Sequence, residues 1–176
     1  YCTSSSVALL TDESRRDLYT AAPGDPQCRQ IMVSSFRPAT LSGDCAGRPT
    51  RYVPDKTAAF LDRQLAPFGI PDGTFPSLHL AHCDLQCGHD LITDQDFPVV
   101  LFSPGFRNSR LVYSAMAQAL ASGGHIVITI DHPYDADIVE YPDGSTTLAA
   151  DMTDVQKEAL VDVRVRDVAF VLDQLH

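Results

Sequence analysis

At 176 residues, with 44% hydrophobic and 20% charged side chains, the chain has the composition of one folded domain rather than a disordered tail. Thirteen basic against twenty-three acidic residues leave a formal charge of −10, a field that repels phosphate backbones and anionic bilayers and argues against nucleic-acid binding. No apolar run approaches the roughly 18 residues of a membrane-spanning helix.

The chain opens at Tyr1 with neither a basic nor an apolar leader. Its five cysteines, Cys2, Cys28, Cys45, Cys83 and Cys87, are many for a reducing compartment. Together they imply a secreted protein with disulfide bonds. The odd count leaves one cysteine for another chain or for a free thiol.

The first fifty residues are rich in turn formers (Pro23-Gly24-Asp25-Pro26, Ser42-Gly43-Asp44, Gly47-Arg48-Pro49). Between them Gln30 to Phe36 reads as a strand ended by Pro38. Asp55 to Phe68 reads as a helix, its apolar positions Ala58, Ala59, Leu61, Leu65 and Phe68 preceding the breakers Gly69 and Pro71. Ser77 to Cys83 alternates enough for a second strand. From Phe97 the pattern sharpens. Pro98 to Phe102 is a short continuous apolar run, as in a buried parallel strand. Ser109 to Ser122 is helical, with Leu111, Val112, Ala115, Met116, Ala119 and Leu120 on one face and Gly123-Gly124 as its stop. His125 to Ile130 is another buried strand. A loop through Tyr134 and Pro142-Asp143-Gly144 leads to a long helix from about Thr153, with the stripe Leu160, Val163, Val168, Val171, Leu172 and Leu175.

Strand, helix, strand, helix in some eighty residues is a βαβ unit feeding a further crossover. A crossover helix delivers the next parallel strand, so a strand is expected after His176, beside His125 to Ile130. Without it that strand would be an unpaired apolar edge.

Ligands of open parallel sheets bind beyond the carboxyl ends of the strands. There the chain carries Phe102-Ser103-Pro104-Gly105-Phe106-Arg107-Asn108-Ser109-Arg110. Pro104 has no N–H, and Gly105 allows a turn that a Cβ would obstruct. The next backbone donor is Phe106, placed to meet an oxyanion. An ordinary strand-to-helix turn uses the same residues, so the turn alone does not decide.

The string FPVVLFSPGFRNSRLVYSAMAQALASGGHIVITIDHPYDADIVEYPDG resembles the secreted platelet-activating-factor acetylhydrolase family of α/β-hydrolases. The segments VALLTDESRRDLYT and RQIMVSSFRP resemble what precedes that family's first strand. The likeness runs from about Val7 to the C-terminus, weakest from Thr40 to Lys56. SPGF and the following LAS-GG-IVITID are similar, more distantly, to cutinases and polyester hydrolases. The resemblance implies a three-layer α/β-hydrolase fold with a mostly parallel sheet, of which residues 1–176 are the N-terminal part of a single domain. It implies ester hydrolysis through an acyl-serine without metal or organic cofactor, on a short-acyl phospholipid or, alternatively, a cutin-like polyester or feruloyl-type ester. It assigns Phe106 N–H to the oxyanion hole. The family's G-x-S-x-G elbow is absent: no serine here has glycine at both −2 and +2. The resemblance therefore places Ser, Asp and His beyond His176, on a C-terminal segment or a companion chain. A hydrolase-derived binding or assembly subunit is the alternative of another class.

Arg107 replaces the family's usual small residue, often glycine, and is a candidate for the pocket mouth. Tyr134 is a candidate pocket-lining residue for substrate. Arg110 reads better as a structural ion-pair partner. His79, His82, Cys83, Cys87 and His89 have zinc-ligand chemistry, but a strand alternates its faces and the cysteines suit disulfides, so no metal is assigned. Ser103, His132 and one of Asp131 or Asp135 suggest a triad on paper. No elbow exposes Ser103, however, and His132 is expected to order its loop.

Overall fold

The computed structural model describes residues 1–17, 27–40, 48–82, 92 and 96–175. The main sheet is built from β1 (Cys2–Arg16), β2 (Cys28–Ala39), β5 (Val99–Phe102) and β6 (Ile126–Ile130), in the spatial order β1-β2-β6-β5. β1 and β2 form a long antiparallel ribbon from Cys2 opposite Ala39 to Arg16 opposite Cys28, with an irregularity between Asp12 and Arg16. β6 is antiparallel to β2 and parallel to β5, Phe102 lying opposite Thr129.

This order corrects the expected edge. The strand ending at Ile130 is central, flanked on both sides, and among the described residues β5 and β1 are the sheet's edges. The chain leaves β5, crosses through α3 (Ser114–Ser122), and enters the sheet between β5 and β2. The apolar run of β6 fits that place, because both of its faces are covered. Ile128 and Ile130 pack with Ile31, Val33 and Val171 of α4 (Asp154–Asp173) on one face. Val127 packs with Phe36 and with Ala117 and Ala121 of α3 on the other. Helix, sheet and helix thus form three layers.

The remaining elements cap one side. β3 (Arg48–Arg51) pairs with β4 (His79–His82), the strand expected from Ser77 to Cys83. α1 (Asp55–Leu65) runs into a 3₁₀ turn, Ala66–Phe68, which Gly69 ends at φ 85°. A short α2 (Thr74–Ser77) follows. Val53, Ala58 and Leu61 meet Leu111 in a separate cluster. The start of the helix expected from Ser109 is a 3₁₀ turn, Arg110–Tyr113, capped by the Ser109 hydroxyl. The loop after β6 contains an unexpected hairpin, β7 (Ile138–Glu140) with β8 (Thr146–Leu148).

In α4 the expected stripe is only partly buried. Leu160 and Val171 are in the core, but Leu172 and Leu175 are 49% and 40% exposed. The buried row is Leu160, Asp167 and Val171, with half-buried Arg164 between them.

Thr129 is fully buried in β6, and its hydroxyl has no partner among the described residues. Thr129→Val keeps the shape and removes an unmatched polar group. It should stabilise the fold by about 1 kcal/mol, read as a higher melting temperature with an unchanged circular-dichroism spectrum.

Candidate active site

Because β5 and β6 are parallel, the segments after Phe102 and Ile130 emerge at the same end of the sheet. Each makes a tight turn. In the first, Asn108 N–H donates to the Gly105 carbonyl at 3.0 Å, and Arg107 has φ 66°. In the second, Asp135 N–H donates to the His132 carbonyl at 3.1 Å, and Tyr134 has φ 68°. A positive φ at the third residue marks the type II turn, where glycine is the usual occupant. That explains the glycine expected at position 107. It also shows that both residues named as pocket candidates are held in a backbone conformation that ordinarily costs energy.

The turn determines where Phe106 N–H points. Carbonyl and N–H of one trans peptide point in opposite directions. The Gly105 carbonyl is turned inward to Asn108, so Phe106 N–H is directed out of the turn. It donates to no group among the described residues, and the Phe106 ring is 47% exposed. Arg107 N–H, by contrast, is used by Asp135 Oδ1 at 3.2 Å.

Charged groups fix the turn on several sides. Arg107 Nε donates to Asp137 Oδ1 at 2.5 Å, and Asp137 N–H donates to the Arg107 carbonyl at 3.0 Å. From α4, Arg164 donates through Nη1 to the Pro104 carbonyl at 2.7 Å and through Nε to Asp135. Asp131 receives the Arg110 N–H at 2.6 Å, the Ser109 hydroxyl at 3.0 Å and the Arg110 guanidinium. Arg110, 2% exposed, is therefore a structural ion-pair partner.

Beside the turn lies a hydrogen-bonded chain of serine, histidine and aspartate. Ser103 Oγ is 2.9 Å from His132 Nε2, and His132 Nδ1 is 2.8 Å from Asp167 Oδ2. With a carboxylate at Nδ1, that nitrogen carries the proton and Nε2 accepts from the serine. The acid is neither Asp131 nor Asp135, since Arg110 and Ser109 occupy the first, and Arg107 and Arg164 the second. Asp167 also accepts Arg29 Nη2 at 2.7 Å and Arg15 Nη1 at 2.9 Å. Two guanidinium groups thus take up the charge that a catalytic imidazolium would need. His132 is 2% exposed, whereas Ser103, contrary to expectation, is exposed, at the end of an edge strand and without the positive φ of an elbow.

Tyr134 lines a polar cavity of about 390 Å³ together with Asp17, Gln30, Tyr141 and Thr147. A larger cavity, about 640 Å³, lies elsewhere, between β2, the β3–β4 pair and Tyr52, with Arg110 in its wall. Of the cysteine–histidine cluster, Cys83, Cys87 and His89 lie outside the described residues, as does Cys45. His79 is exposed and His82 buried on β4, on opposite faces as strand alternation requires.

Helices on both faces of a mixed sheet, with two tight turns at the carboxyl end of its parallel pair, are consistent with an α/β-hydrolase-like fold. A ferulic acid esterase from Streptomyces cinnamoneus shares this arrangement, with a TM-score of 0.75 and 27% identity over 98% of this chain and 46% of that one. The sequence model described as platelet-activating factor acetylhydrolase, isoform II, matches residues 76–168, more than half of the chain. The chain belongs to that family. It is also 36% identical over 178 residues to a probable 1-alkyl-2-acetylglycerophosphocholine esterase from Arthroderma benhamiae, a match covering 96% of this chain and 45% of that protein. The chain spans just under half the length of both relatives.

Burial alone would push the Asp167 carboxyl up. The hydrogen bonds from His132 and Arg29, with the charge of Arg29, outweigh burial and hold it at about 2. A lowered carboxyl stabilises the fold above its unfolded-state value, and that contribution is lost as pH falls toward the folded-state value. Stability should therefore drop between about pH 4 and pH 2, measured by urea unfolding across that range. Asp167→Asn should remove this acid limb and cost about 3 kcal/mol at neutral pH, because buried Arg29 loses its shorter carboxylate partner and keeps only Asp17 as a counter-charge.

Proposed function

We propose that this chain is part of a serine carboxylic-ester hydrolase in which Phe106 N–H is one donor of the oxyanion hole. The observation that carries the reading is the turn at residues 105–108, which leaves that N–H without a partner among the described residues and directs it outward at the carboxyl end of the parallel pair. A tetrahedral ester intermediate places its negative charge on oxygen, and a fixed donor stabilises that charge more than the ground-state carbonyl. Arg107 at the pocket mouth and Tyr134 in the pocket lining are proposed as substrate contacts. The nucleophilic serine, with its aspartate and histidine, belongs to a C-terminal segment or companion chain. The edge of β5, open among the described residues, and exposed Val161, Val165 and Leu172 on α4 are surfaces such a segment would cover.

A short-acyl phospholipid is the proposed substrate, following the relative from Arthroderma benhamiae. The likeness to the ferulic acid esterase supports a second reading, a feruloyl-type ester. The protein is proposed to be secreted. Its five cysteines support that reading.

Phe106→Ala keeps the N–H and should keep most activity. Phe106→Pro removes the donor and should lower kcat by about 10²–10³-fold in protein still folded by circular dichroism. Equal, mild effects would take Phe106 out of the mechanism. Fluorophosphonate should label a serine outside residues 1–176, and residues 1–176 expressed alone should not hydrolyse p-nitrophenyl acetate above buffer. Parallel rates on an acetyl-glycerophosphocholine analogue and methyl ferulate decide between the substrates.

A further inference from the structure

Arg164 and Asp167 lie three residues apart on α4, so they share a face of that helix. Both reach the segment that carries Phe106. Arg164 holds the Pro104 carbonyl at 2.7 Å, and through Asp135 it also bears on Arg107 N–H. Asp167 holds His132, which in turn holds Ser103 at 2.9 Å. The two paths grip the segment at Ser103 and Pro104 and, through Asp135, again at Arg107.

We propose that Ser103, His132, Asp167 and Arg164 are positioning residues: a clamp from α4 that sets the orientation of the Gly105–Phe106 peptide for the oxyanion. This rests on the oxyanion role proposed above for Phe106. Three features favour a clamp over a nucleophile. Ser103 Oγ lies 2.9 Å from Nε2 of a histidine that is almost fully buried. The aspartate behind that histidine is bound by Arg29 and Arg15 as well. The turn itself contains a non-glycine residue at φ 66°, a conformation that persists only where its surroundings over-determine it. Arg164, from the same helix face, grips the neighbouring Pro104 carbonyl and is not part of the serine–histidine–aspartate chain.

The test uses the complete esterase, with Ser103→Ala and Arg164→Met, because Asp167→Asn takes one of two carboxylates from a buried arginine and is prone to misfold. Each variant should lower kcat about ten- to a hundredfold while KM stays within about twofold, since a small misplacement of a transition-state donor costs rate rather than binding. Ser103→Thr, which keeps the hydroxyl, should restore kcat. Crystal structures of the two variants should show the Gly105–Phe106 peptide rotated and φ of Arg107 relaxed. Fluorophosphonate on Ser103 would make it a nucleophile and overturn the clamp. An unmoved turn with wild-type kcat would overturn it too. A rotated peptide with unchanged kcat would uphold the clamp and overturn the oxyanion role of Phe106 instead.

Discussion

A single carboxylate joins the parts of this fold that the hydrophobic core does not align. Asp167, fully buried, receives hydrogen bonds from His132 after β6, Arg29 in β2 and Arg15 in β1. Arg29 continues the network to Asp17 and to the Pro133 carbonyl. Leu160 and Val171 would hold α4 on the sheet by area alone, but apolar contact is indifferent to small rotations and slides. A buried charge is not indifferent. It tolerates only positions in which its partners reach it, and losing one partner is costly. The helix is therefore fixed in rotation and height against three strands, and Arg164 on the same face is fixed with it.

The apolar runs at β5 and β6 and the stop at Gly123-Gly124 were readable because burial on both faces leaves a continuous pattern. Which of the two strands lies outermost was not. Local pattern records how buried a strand is, not which neighbour it has, and chain order suggested the wrong edge. β1 was missed for a related reason. Its TSSSVALLTDESRR sequence is mostly exposed, with only Thr3 and Asp12 buried. It is a strand because β2 offers it a long run of backbone partners, which no periodicity within β1 reveals.

Part of the site was legible and part was hidden in plain view. Pro104-Gly105 announces a turn, and the structure has one at residues 105–108. The pairing of Ser103 with His132 could be guessed from their places after parallel strands. Their acid could not be found by proximity, because Asp131 and Asp135 lie closer in sequence and already have partners. A signal did exist in α4. Positions 160, 164, 167 and 171 recur at helical spacing, and two of them are charged within an otherwise apolar row. A charged pair at core positions asks for buried partners. Reading only the apolar members of the stripe, including Leu172 and Leu175, passed over it.

The two turns at the carboxyl end follow one design with different means. Both place an L-residue at φ near 67°, Arg107 in one and Tyr134 in the other. In the second turn Pro133 presets the preceding residue, which favours the type II geometry before any tertiary contact forms. The first turn has Phe106 at that position and no such help. Its conformation, which costs on the order of 1–3 kcal/mol, must be imposed from outside, and the structure supplies what proline would not. Asp135 takes the Arg107 N–H, Asp137 takes both its side chain and its carbonyl, and Arg164 holds Pro104. An arginine at position 107 thus contributes, through its own side chain, to the strain relief that a glycine would have made unnecessary. Proline at 106 would have preset the turn as well, but it would have removed the one N–H that the turn directs outward.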